Sequence, residues 1–238
     1  MQRFEKIIGG NIFKMNIKYA VFDFDGTLFD SMFIWQVLAK KYLKSKGKVP
    51  KASLMQSINR LNLPDAAKFI KNQYLPDLSE DEILKEINNT AEELYLSSAK
   101  PKCGICDFLK KLKHCGFKMS VATASDKKVI ETVLKKWDME NYFEKIFTCG
   151  DIGFGKDKPD IYLEAAEYFG SKPQNTIIFE DALFAATTAA NEGFLTVGVF
   201  DESEKNQKKL KNLCDFYIKD FKNFESFKLF VLSKEKIL

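Results

Sequence analysis

The segment Tyr19-Ala20-Val21-Phe22-Asp23-Phe24-Asp25-Gly26-Thr27 decides the fold, because an apolar strand in it runs directly into two carboxylates one residue apart. In an open α/β sheet, ligands bind beyond the carboxyl ends of the parallel strands, so acids placed there face substrate rather than core. The alternative is a hairpin turned at Asp25-Gly26. It is disfavoured because apolar residues recur at helical spacing after Thr27, and no second alternating strand follows.

Composition is that of a globular protein. The 238 residues, 45% of them hydrophobic, suffice for one domain with an insertion or for two small domains. The 37 basic residues are nearly all lysine and are balanced by 33 acids, so the net charge of +4 indicates a solvated surface and predicts no nucleic-acid binding. The sequence has neither an apolar run of roughly 18 residues nor a secretory signal. We therefore expect a cytoplasmic protein without a membrane span, either a monomer or a weak dimer.

The cysteines are odd in number and scattered, which fits a reducing compartment better than a disulfide framework. Cys103 and Cys106 have the spacing of a zinc or redox pair. No second pair accompanies them, and the only histidine, His114, lies on a lysine-rich helix. A zinc or thiol role is therefore disfavoured, and His114 is predicted to be a surface residue.

The first hundred residues divide into a tail, a strand and a helical segment. Residues 1–16 are predicted to be a tail, and Met15 lies just before the first strand, where a shorter chain could equally begin. After the Asp23 strand, helices and no strand are expected, at 31–46, 52–60, 64–73 and 79–97. The last helix opens with a capping box in which Ser79 precedes Glu82 by three residues.

From about residue 100 the pattern alternates between short apolar strands and helices, which is typical of βαβ units and a parallel sheet. Strands are predicted at 117–122, 145–149, 176–179, 195–199 and 215–218. Helices are predicted at 104–114, 126–137, 159–169, 182–192 and 204–212. The expected fold class is α/β, with a doubly wound, Rossmann-like parallel sheet formed by residues 17–30 and 100–238. Residues 31–99 would be an inserted all-helical cap over the strand ends.

Polar clusters follow three of the later strands. They are Thr123-Ala124-Ser125, Gly155-Lys156-Asp157-Lys158-Pro159-Asp160 and Glu180-Asp181. Because the carboxyl ends of parallel strands meet at one edge of a sheet, the fold would bring all three toward Asp23 and Asp25. Hydroxyls, a lysine and carboxylates at one place indicate a phosphate and metal site.

The first motif and these three clusters occur in a fixed order, each after a predicted strand. In that order they closely resemble the four motifs of the haloacid dehalogenase superfamily, in its phosphatase and β-phosphoglucomutase-like branch with a helical cap. The motifs extend over nearly the whole chain, and the full quartet is highly specific. One departure is Asp157, directly after Lys156, where many relatives carry Pro. The second acid of the first motif, Asp25, argues against a dehalogenase, which typically lacks it.

The resemblance implies catalytic roles for both acids of the first motif. Asp23 would attack phosphorus and form an aspartyl phosphate. Asp25 would protonate the leaving oxygen and later deprotonate the attacking water. A covalent route is favoured because acid-base catalysis alone contributes about 10²- to 10⁴-fold, whereas the slowest phosphate monoester reactions need up to about 10²¹-fold. The alternatives are that Asp23 is only a metal ligand and Asp25 only a turn residue.

A Mg²⁺ cofactor is also implied, since Mg²⁺ prefers an octahedral oxygen shell with one or two carboxylates. Asp23 and Asp181 would supply those carboxylates, Asp25 would contribute its backbone carbonyl, and Glu180 would support the shell. The alternative for Glu180 and Asp181 is capping of the following helix.

The residues that the resemblance implies for phosphate binding lie in three of the motifs. They are Gly26, Thr27, Thr123, Ala124, Ser125 and Lys156. Thr123 would hydrogen-bond a phosphoryl oxygen and Lys156 would neutralise negative charge. Ser125, rather than Thr123, is interpreted as the helix cap, because Thr123 directly follows the strand.

Lys158 is the rival of Lys156, because it lies in the same loop and directly precedes Pro159. Lys156 is favoured because Pro159 and Asp160 follow it by three and four residues, as in the family pattern.

The expected function is Mg²⁺-dependent hydrolysis of a small phosphorylated metabolite such as a sugar phosphate. A β-phosphoglucomutase-like phosphomutase and a non-catalytic protein that binds a phosphorylated ligand are the alternatives. The cap would select the leaving group, and the cap residues that a test would address first are Arg60, Lys68 and Lys71. The aromatic residues that follow the first motif could pack in the core or join the cap to the core; they are Phe29, Phe33 and Trp35.

Overall fold

A six-stranded parallel sheet carries the site in the computed structural model, which describes residues 6–8, 11–13, 16–58 and 63–235. The strands along the chain are β1 (Lys6–Ile8), β2 (Asn11–Phe13), β3 (Tyr19–Phe22), β4 (Phe29–Asp30), β5 (Lys100–Pro101), β6 (Lys118–Thr123), β7 (Lys145–Thr148), β8 (Thr176–Glu180), β9 (Leu195–Val199) and β10 (Phe216–Ile218). The helices are α1 (Met32–Ser45), α2 (Leu54–Ile58), α3 (Leu63–Tyr74), α4 (Glu80–Ser98), α5 (Ile105–His114), α6 (Lys127–Lys136), α7 (Cys149–Ile152), α8 (Asp160–Tyr168), α9 (Leu183–Asn191), α10 (Gln207–Leu213) and α11 (Phe224–Lys234).

The strand order of the main sheet is β10-β9-β8-β3-β6-β7, with all neighbours parallel. The chain builds β6 and β7 on one side of β3 and then returns to build β8, β9 and β10 on the other. This reversal beside β3 is a topological switch point, where the loops that follow adjacent strands part and leave a crevice. The predicted α/β fold with a doubly wound sheet is confirmed.

Both faces of the sheet are covered, which explains why the strands are apolar without alternation. Val21 packs with Ala122 and Ile178 in the core on one face. Phe22 points to the other face, where its ring stacks on Phe179 at a centroid distance of 4.1 Å. β3 is buried on both faces and is paired along its two edges with β8 and β6. The position of Asp23, which follows β3, is therefore fixed as well.

The four helices α1 to α4 lie between β4 and β5, and these two short strands pair antiparallel, with Asp30 opposite Lys100. The two chain connections to the helical segment are therefore adjacent. The predicted capping box at the start of α4 is confirmed, because the Glu82 amide donates to Ser79 Oγ and the Ser79 amide donates to the Glu82 carboxylate. Of the predicted helix at 52–60, residues 59 and 60 lie outside the described residues, and so does Arg60 as a candidate cap residue.

Lys102 links the β4 connection to the loop after β9 in the main sheet. Its ammonium lies 2.7 Å from Asp30 Oδ1, in β4, and 2.7 Å from Asp201 Oδ2, in the loop after β9. It also donates to the carbonyl of Phe200 at 3.0 Å. Burial disfavours the charge of Lys102, but the hydrogen bonds to Asp201 and Asp30 outweigh it and raise its pKa. The lysine is therefore charged and holds a buried carboxylate in place.

Lys102→Met is expected to lower the free energy of unfolding by about 3 kcal/mol, because Asp201 is left as a buried charge without its cation. Urea unfolding of both proteins measures the difference. Lys41→Met is the matched control, since Lys41 pairs with Glu93 at 3.7 Å with both side chains largely exposed. We expect the control to change stability by less than about 1 kcal/mol. Equal small losses in the two variants would contradict the proposed role of Lys102.

Most predicted elements of the core are confirmed to within two residues of their ends, and the departures are local. Cys149 begins the short helix α7 instead of ending β7, because the side chain of Thr148 caps that helix by accepting from the Asp151 amide. Helix α10 begins at Gln207, three residues later than expected. The C-terminal helix α11 was not predicted, and residues in the predicted tail form the paired strands β1 and β2. Among the described residues, none of the helices has the length and apolar character to cross a membrane.

Candidate active site

Asp23 is placed by β3 and held by the neighbouring strand. It directly follows the last residue of β3, and its amide donates to the carbonyl of Phe179 in β8 at 3.0 Å. Its side chain is buried. The turn that follows needs Gly26, whose φ is +82°, and a Cβ at this position would overlap Asp181 Oδ2. The glycine therefore allows the loop after β3 to approach the loop after β8.

Lys156 is the cation of the site. Its Nζ donates to Asp23 Oδ1 and to Glu180 Oε1, the latter at 2.6 Å, and its side chain is buried. Burial alone disfavours its charge, but the carboxylates of Asp23 and Glu180 raise its pKa and keep it protonated. Tyr162, in α8, donates its hydroxyl to the same Glu180 oxygen at 2.7 Å. Glu180 therefore holds Lys156 beside Asp23 through one hydrogen bond, and Tyr162 fixes the Glu180 oxygen that accepts it.

Three carboxylates lie together at the ends of β3 and β8. Oxygen atoms of Asp23, Glu180 and Asp181 all lie within 4.8 Å of one another. Asp181 is almost wholly buried, and among the described residues its carboxylate accepts one long hydrogen bond, from Thr27 Oγ1 at 3.5 Å. Burial raises the pKa of Asp181 well above its usual value, and the charges of Asp23 and Glu180 add to that shift.

The same cause acts on Asp23, where burial raises the pKa, the Lys156 charge opposes the shift, and Glu180 adds to it. Buried acids that repel one another in this way fit a divalent cation, because the cation offsets both the desolvation and the repulsion. An all-oxygen donor set of this kind suits Mg²⁺. The residues present therefore fit a magnesium ion held by Asp23 and Asp181, with Glu180 alongside.

The Asp25 carboxylate lies outside that cluster and is held by three hydroxyls. Ser31 Oγ donates to Oδ1 at 2.6 Å, and the Tyr95 hydroxyl donates to the same oxygen. Ser125 Oγ donates to Oδ2 at 2.6 Å. The two acids of the first motif therefore have different surroundings, since Asp23 lies beside one lysine and two carboxylates and Asp25 lies among hydroxyls.

The hydroxyls after β6 are arranged differently from the prediction. Thr123 ends β6 and is fully buried, and its Oγ1 accepts from the Ser125 amide at 3.0 Å. The interpretation of Ser125 as a helix cap was wrong, because Asp126 caps α6 by accepting from the Lys128 and Val129 amides. Asp126 has the longer acceptor side chain one position closer to the helix, and Ser125 is left free to face Asp25. Ala124 is exposed at this edge.

Capping does not explain the acids after β8. The N-cap of α9 is Ala182, and the free amide of Leu183 is met by Glu204 at 3.0 Å, from the loop after β9. Glu180 and Asp181 therefore face the site rather than the helix. The alternative that they cap α9 is wrong.

Several other residues considered in the sequence analysis lie outside this cluster of acids and Lys156. Lys158, the rival of Lys156, is exposed, and His114 is exposed at the end of α5 as predicted. Cys103 and Cys106 are exposed free thiols. Of the aromatic residues after the first motif, Phe29 is buried and stacks on Phe24, Trp35 is partly buried, and Phe33 is 41% exposed.

Sequence reasoning missed Ser31, Tyr95 and Tyr162. Tyr95 lies seventy residues from Asp25, and in the sequence it is one more apolar position of an amphipathic helix. Tyr162 follows the same pattern in α8. A buried tyrosine whose hydroxyl needs a partner was the available signal, but the partner is set by the tertiary structure.

A family model, curated relatives and a solved structure are similar to this chain. A family model described as haloacid dehalogenase-like hydrolase matches residues 20–199. The chain is 26% identical over 184 residues to the fructose-1-phosphate phosphatase YqaB of Escherichia coli, covering 76% of this chain and 97% of that protein. It is 22% identical over 174 residues to a phosphorylated carbohydrates phosphatase of Thermotoga maritima, covering 73% and 81%. The crystal structure of a β-phosphoglucomutase from Clostridium difficile superimposes with a TM-score of 0.70 at 21% identity, covering 91% and 98%.

Proposed function

The chain belongs to the haloacid dehalogenase-like hydrolase family, and on that premise we propose that it is a Mg²⁺-dependent phosphatase that hydrolyses a small phosphorylated metabolite, such as a sugar phosphate, through an aspartyl phosphate. Relatives over most of its length are phosphatases, which supports its assignment as a phosphoric monoester hydrolase. One observation carries the mechanism. Lys156 lies between Asp23 and Glu180, with Asp181 beside them, at the carboxyl ends of the strands on either side of the switch point.

Asp23 is the nucleophile in this proposal. A carboxylate oxygen of Asp23 forms a bond to phosphorus while the bond from phosphorus to the ester oxygen breaks. The leaving oxygen takes a proton from Asp25. A water molecule then attacks phosphorus, gives a proton to Asp25 and releases Asp23, so that Asp25 ends in its starting state.

Lys156 has two functions in these reaction steps. It neutralises charge on Asp23, which allows that carboxylate to approach an anionic phosphoryl group. It also stabilises the negative charge that spreads over the phosphoryl oxygens in the transition state. Thr123 is proposed to donate its hydroxyl to one of those oxygens, since Oγ1 accepts from the Ser125 amide and its own hydrogen remains available. Gly26, Thr27, Ala124 and Ser125 are proposed to line the phosphate site.

Asp23 and Asp181 are proposed to hold Mg²⁺ with the Asp25 backbone carbonyl, and Glu180 to support them. Bound Mg²⁺ supplies positive charge that offsets repulsion between the carboxylates and the substrate phosphate. Thr27 orients Asp181 through its hydrogen bond. The helical segment is proposed to act as a cap that excludes bulk water from the crevice.

The test is release of inorganic phosphate from a panel of sugar phosphates, polyol phosphates and nucleoside monophosphates, with Mg²⁺ and then with a chelator. We expect release from at least one ester in Mg²⁺ and none with the chelator. Products from hexose phosphates are identified in the same reactions. An isomerised hexose phosphate without free phosphate would contradict the proposal and indicate a phosphomutase. Binding without any turnover would indicate a protein that only binds phosphorylated ligands.

Magnesium is also expected to raise the melting temperature of the protein. A ligand at about 100 times its Kd stabilises the folded state by about 2.7 kcal/mol, or roughly 5–10 °C for a chain of this size. Asp181→Asn should lose most of this increase. Without Mg²⁺, the variant should melt at the same or a higher temperature than wild type, because the substitution removes repulsion among buried carboxylates. Differential scanning calorimetry measures both effects.

The control for this measurement is Asp157→Asn, which changes an exposed carboxylate in the loop that carries Lys156. It should melt like wild type with and without Mg²⁺. An increase of the same size in Asp181→Asn and wild type would rule out Asp181 as a ligand of the ion.

A further inference from the structure

Tyr95 brings a residue of the helical segment into the catalytic region. It lies in the last turn of α4, its side chain is 1% exposed, and its hydroxyl donates to Asp25 Oδ1. The ring is held by an edge contact with Phe24 at 6.0 Å, and Phe24 stacks on Phe29 at 4.7 Å. Packing against Phe24, inside the first motif, therefore sets the position of the hydroxyl.

The hydrogen bonds to Asp25 distinguish its two oxygens. Oδ1 accepts from Tyr95 and from Ser31, whereas Oδ2 faces Ser125 Oγ alone among the described residues. A hydroxyl can either donate or accept. When Asp25 carries a proton on Oδ2, the Ser125 hydroxyl can turn and accept it, and Oδ1 can keep both of its donors. A proton on Oδ1 would force one of two donors there to give up its bond.

We propose that Tyr95 is a positioning residue for Asp25, which with Ser31 reserves Oδ1 as an acceptor and thereby makes Oδ2 the oxygen that gives a proton to the leaving group and takes one from water. This inference rests on the proposed function of Asp25 as general acid and base. It adds that the cap segment sets which carboxyl oxygen transfers the proton.

The arrangement predicts a specific kind of defect. Protonation of the leaving oxygen is needed for an alkyl ester, whose alkoxide is a poor leaving group, and hardly at all for p-nitrophenyl phosphate, whose nitrophenolate leaves without a proton. Loss of the positioning bond should therefore slow alkyl esters selectively. General acid catalysis contributes about 10²- to 10⁴-fold, so partial loss of alignment should cost about 10- to 100-fold.

The experiment compares kcat/KM of wild type and Tyr95→Phe for p-nitrophenyl phosphate and for the alkyl phosphate of the panel that wild type hydrolyses fastest. We expect a fall of about 10-fold or more for the alkyl ester and of less than about 3-fold for the aryl ester. Tyr42→Phe is the matched control, because Tyr42 is also a buried tyrosine of the helical segment that donates to a carboxylate, that of Glu86 at 2.7 Å, away from Asp25. The control should leave both rates unchanged.

Ser31→Ala removes the other donor to Oδ1 and is the substitute test if Tyr95→Phe does not fold. It should slow the alkyl ester selectively, by a smaller factor than Tyr95→Phe. Whichever variant folds is compared with wild type. Equal losses for the two esters, or no loss for either, would overturn the positioning role of Tyr95. The proposed function would still stand, because wild type remains active. Absence of phosphate release from both esters by wild type would instead overturn the proposed function, and the inference about Tyr95 with it.

Discussion

Asp23→Asn is expected to abolish phosphate release from every ester that the wild-type protein hydrolyses. The amide keeps the shape of the side chain but has no anionic oxygen to attack phosphorus, and loss of a catalytic nucleophile costs roughly 10⁴-fold or more. Initial rates of phosphate release in Mg²⁺, for the two proteins at equal concentration, give the measurement.

Asp157→Asn is the control for Asp23→Asn, because it makes the same chemical change at an exposed position of the Lys156 loop. It should keep wild-type activity. If Asp23→Asn retained activity within about tenfold of wild type, Asp23 would be only a metal ligand and water would attack phosphorus directly.

Lys156→Met is expected to lower kcat/KM by about 10³-fold or more. The substitution removes the only cation within hydrogen-bond reach of Asp23 and Glu180 among the described residues. Without it, the two buried carboxylates repel each other, the pKa of Asp23 rises further, and the protonated acid is a poor nucleophile. Stabilisation of the transition-state phosphoryl oxygens is lost as well, and a single group of that kind contributes about 10²- to 10³-fold.

Lys158→Met separates this effect from a general loss of positive charge in the loop. Lys158 is exposed, so its substitution should change kcat/KM by less than about threefold. Circular dichroism confirms that both variants fold, since breaking a buried ion pair can also destabilise the protein. Activity that survives in Lys156→Met and falls in Lys158→Met would assign the catalytic cation to Lys158.

The sheet and the order of its elements could be predicted because the signals are local. Short apolar runs such as Ile177-Ile178-Phe179, each followed by a polar cluster, identify the strands and the edge at which ligands bind. The same patterns predicted that Asp23, Lys156 and Asp181 would meet, since parallel strands bring their carboxyl ends to one place.

The contacts of Asp25 could not be predicted, because they depend on packing between distant segments. Whether Tyr95 is one more core residue of α4 or a hydrogen-bond donor to Asp25 is decided by how α4 docks on Phe24. The choice between Ser125 and Asp126 as helix cap failed for a related reason. Both are good capping residues in sequence, and one residue of difference in where α6 begins decides between them.

The central claim is that Asp23 itself receives the phosphoryl group, and a single-turnover rapid quench tests it most directly. Wild-type protein in excess over an active ester and Mg²⁺ is stopped in acid at several times within the first turnover, and the peptide that contains Asp23 is examined by mass spectrometry. We predict that this peptide carries one phosphoryl group that appears before free phosphate and is absent from Asp23→Asn. Complete release of phosphate during that turnover with the Asp23 peptide unmodified at every time would contradict the account.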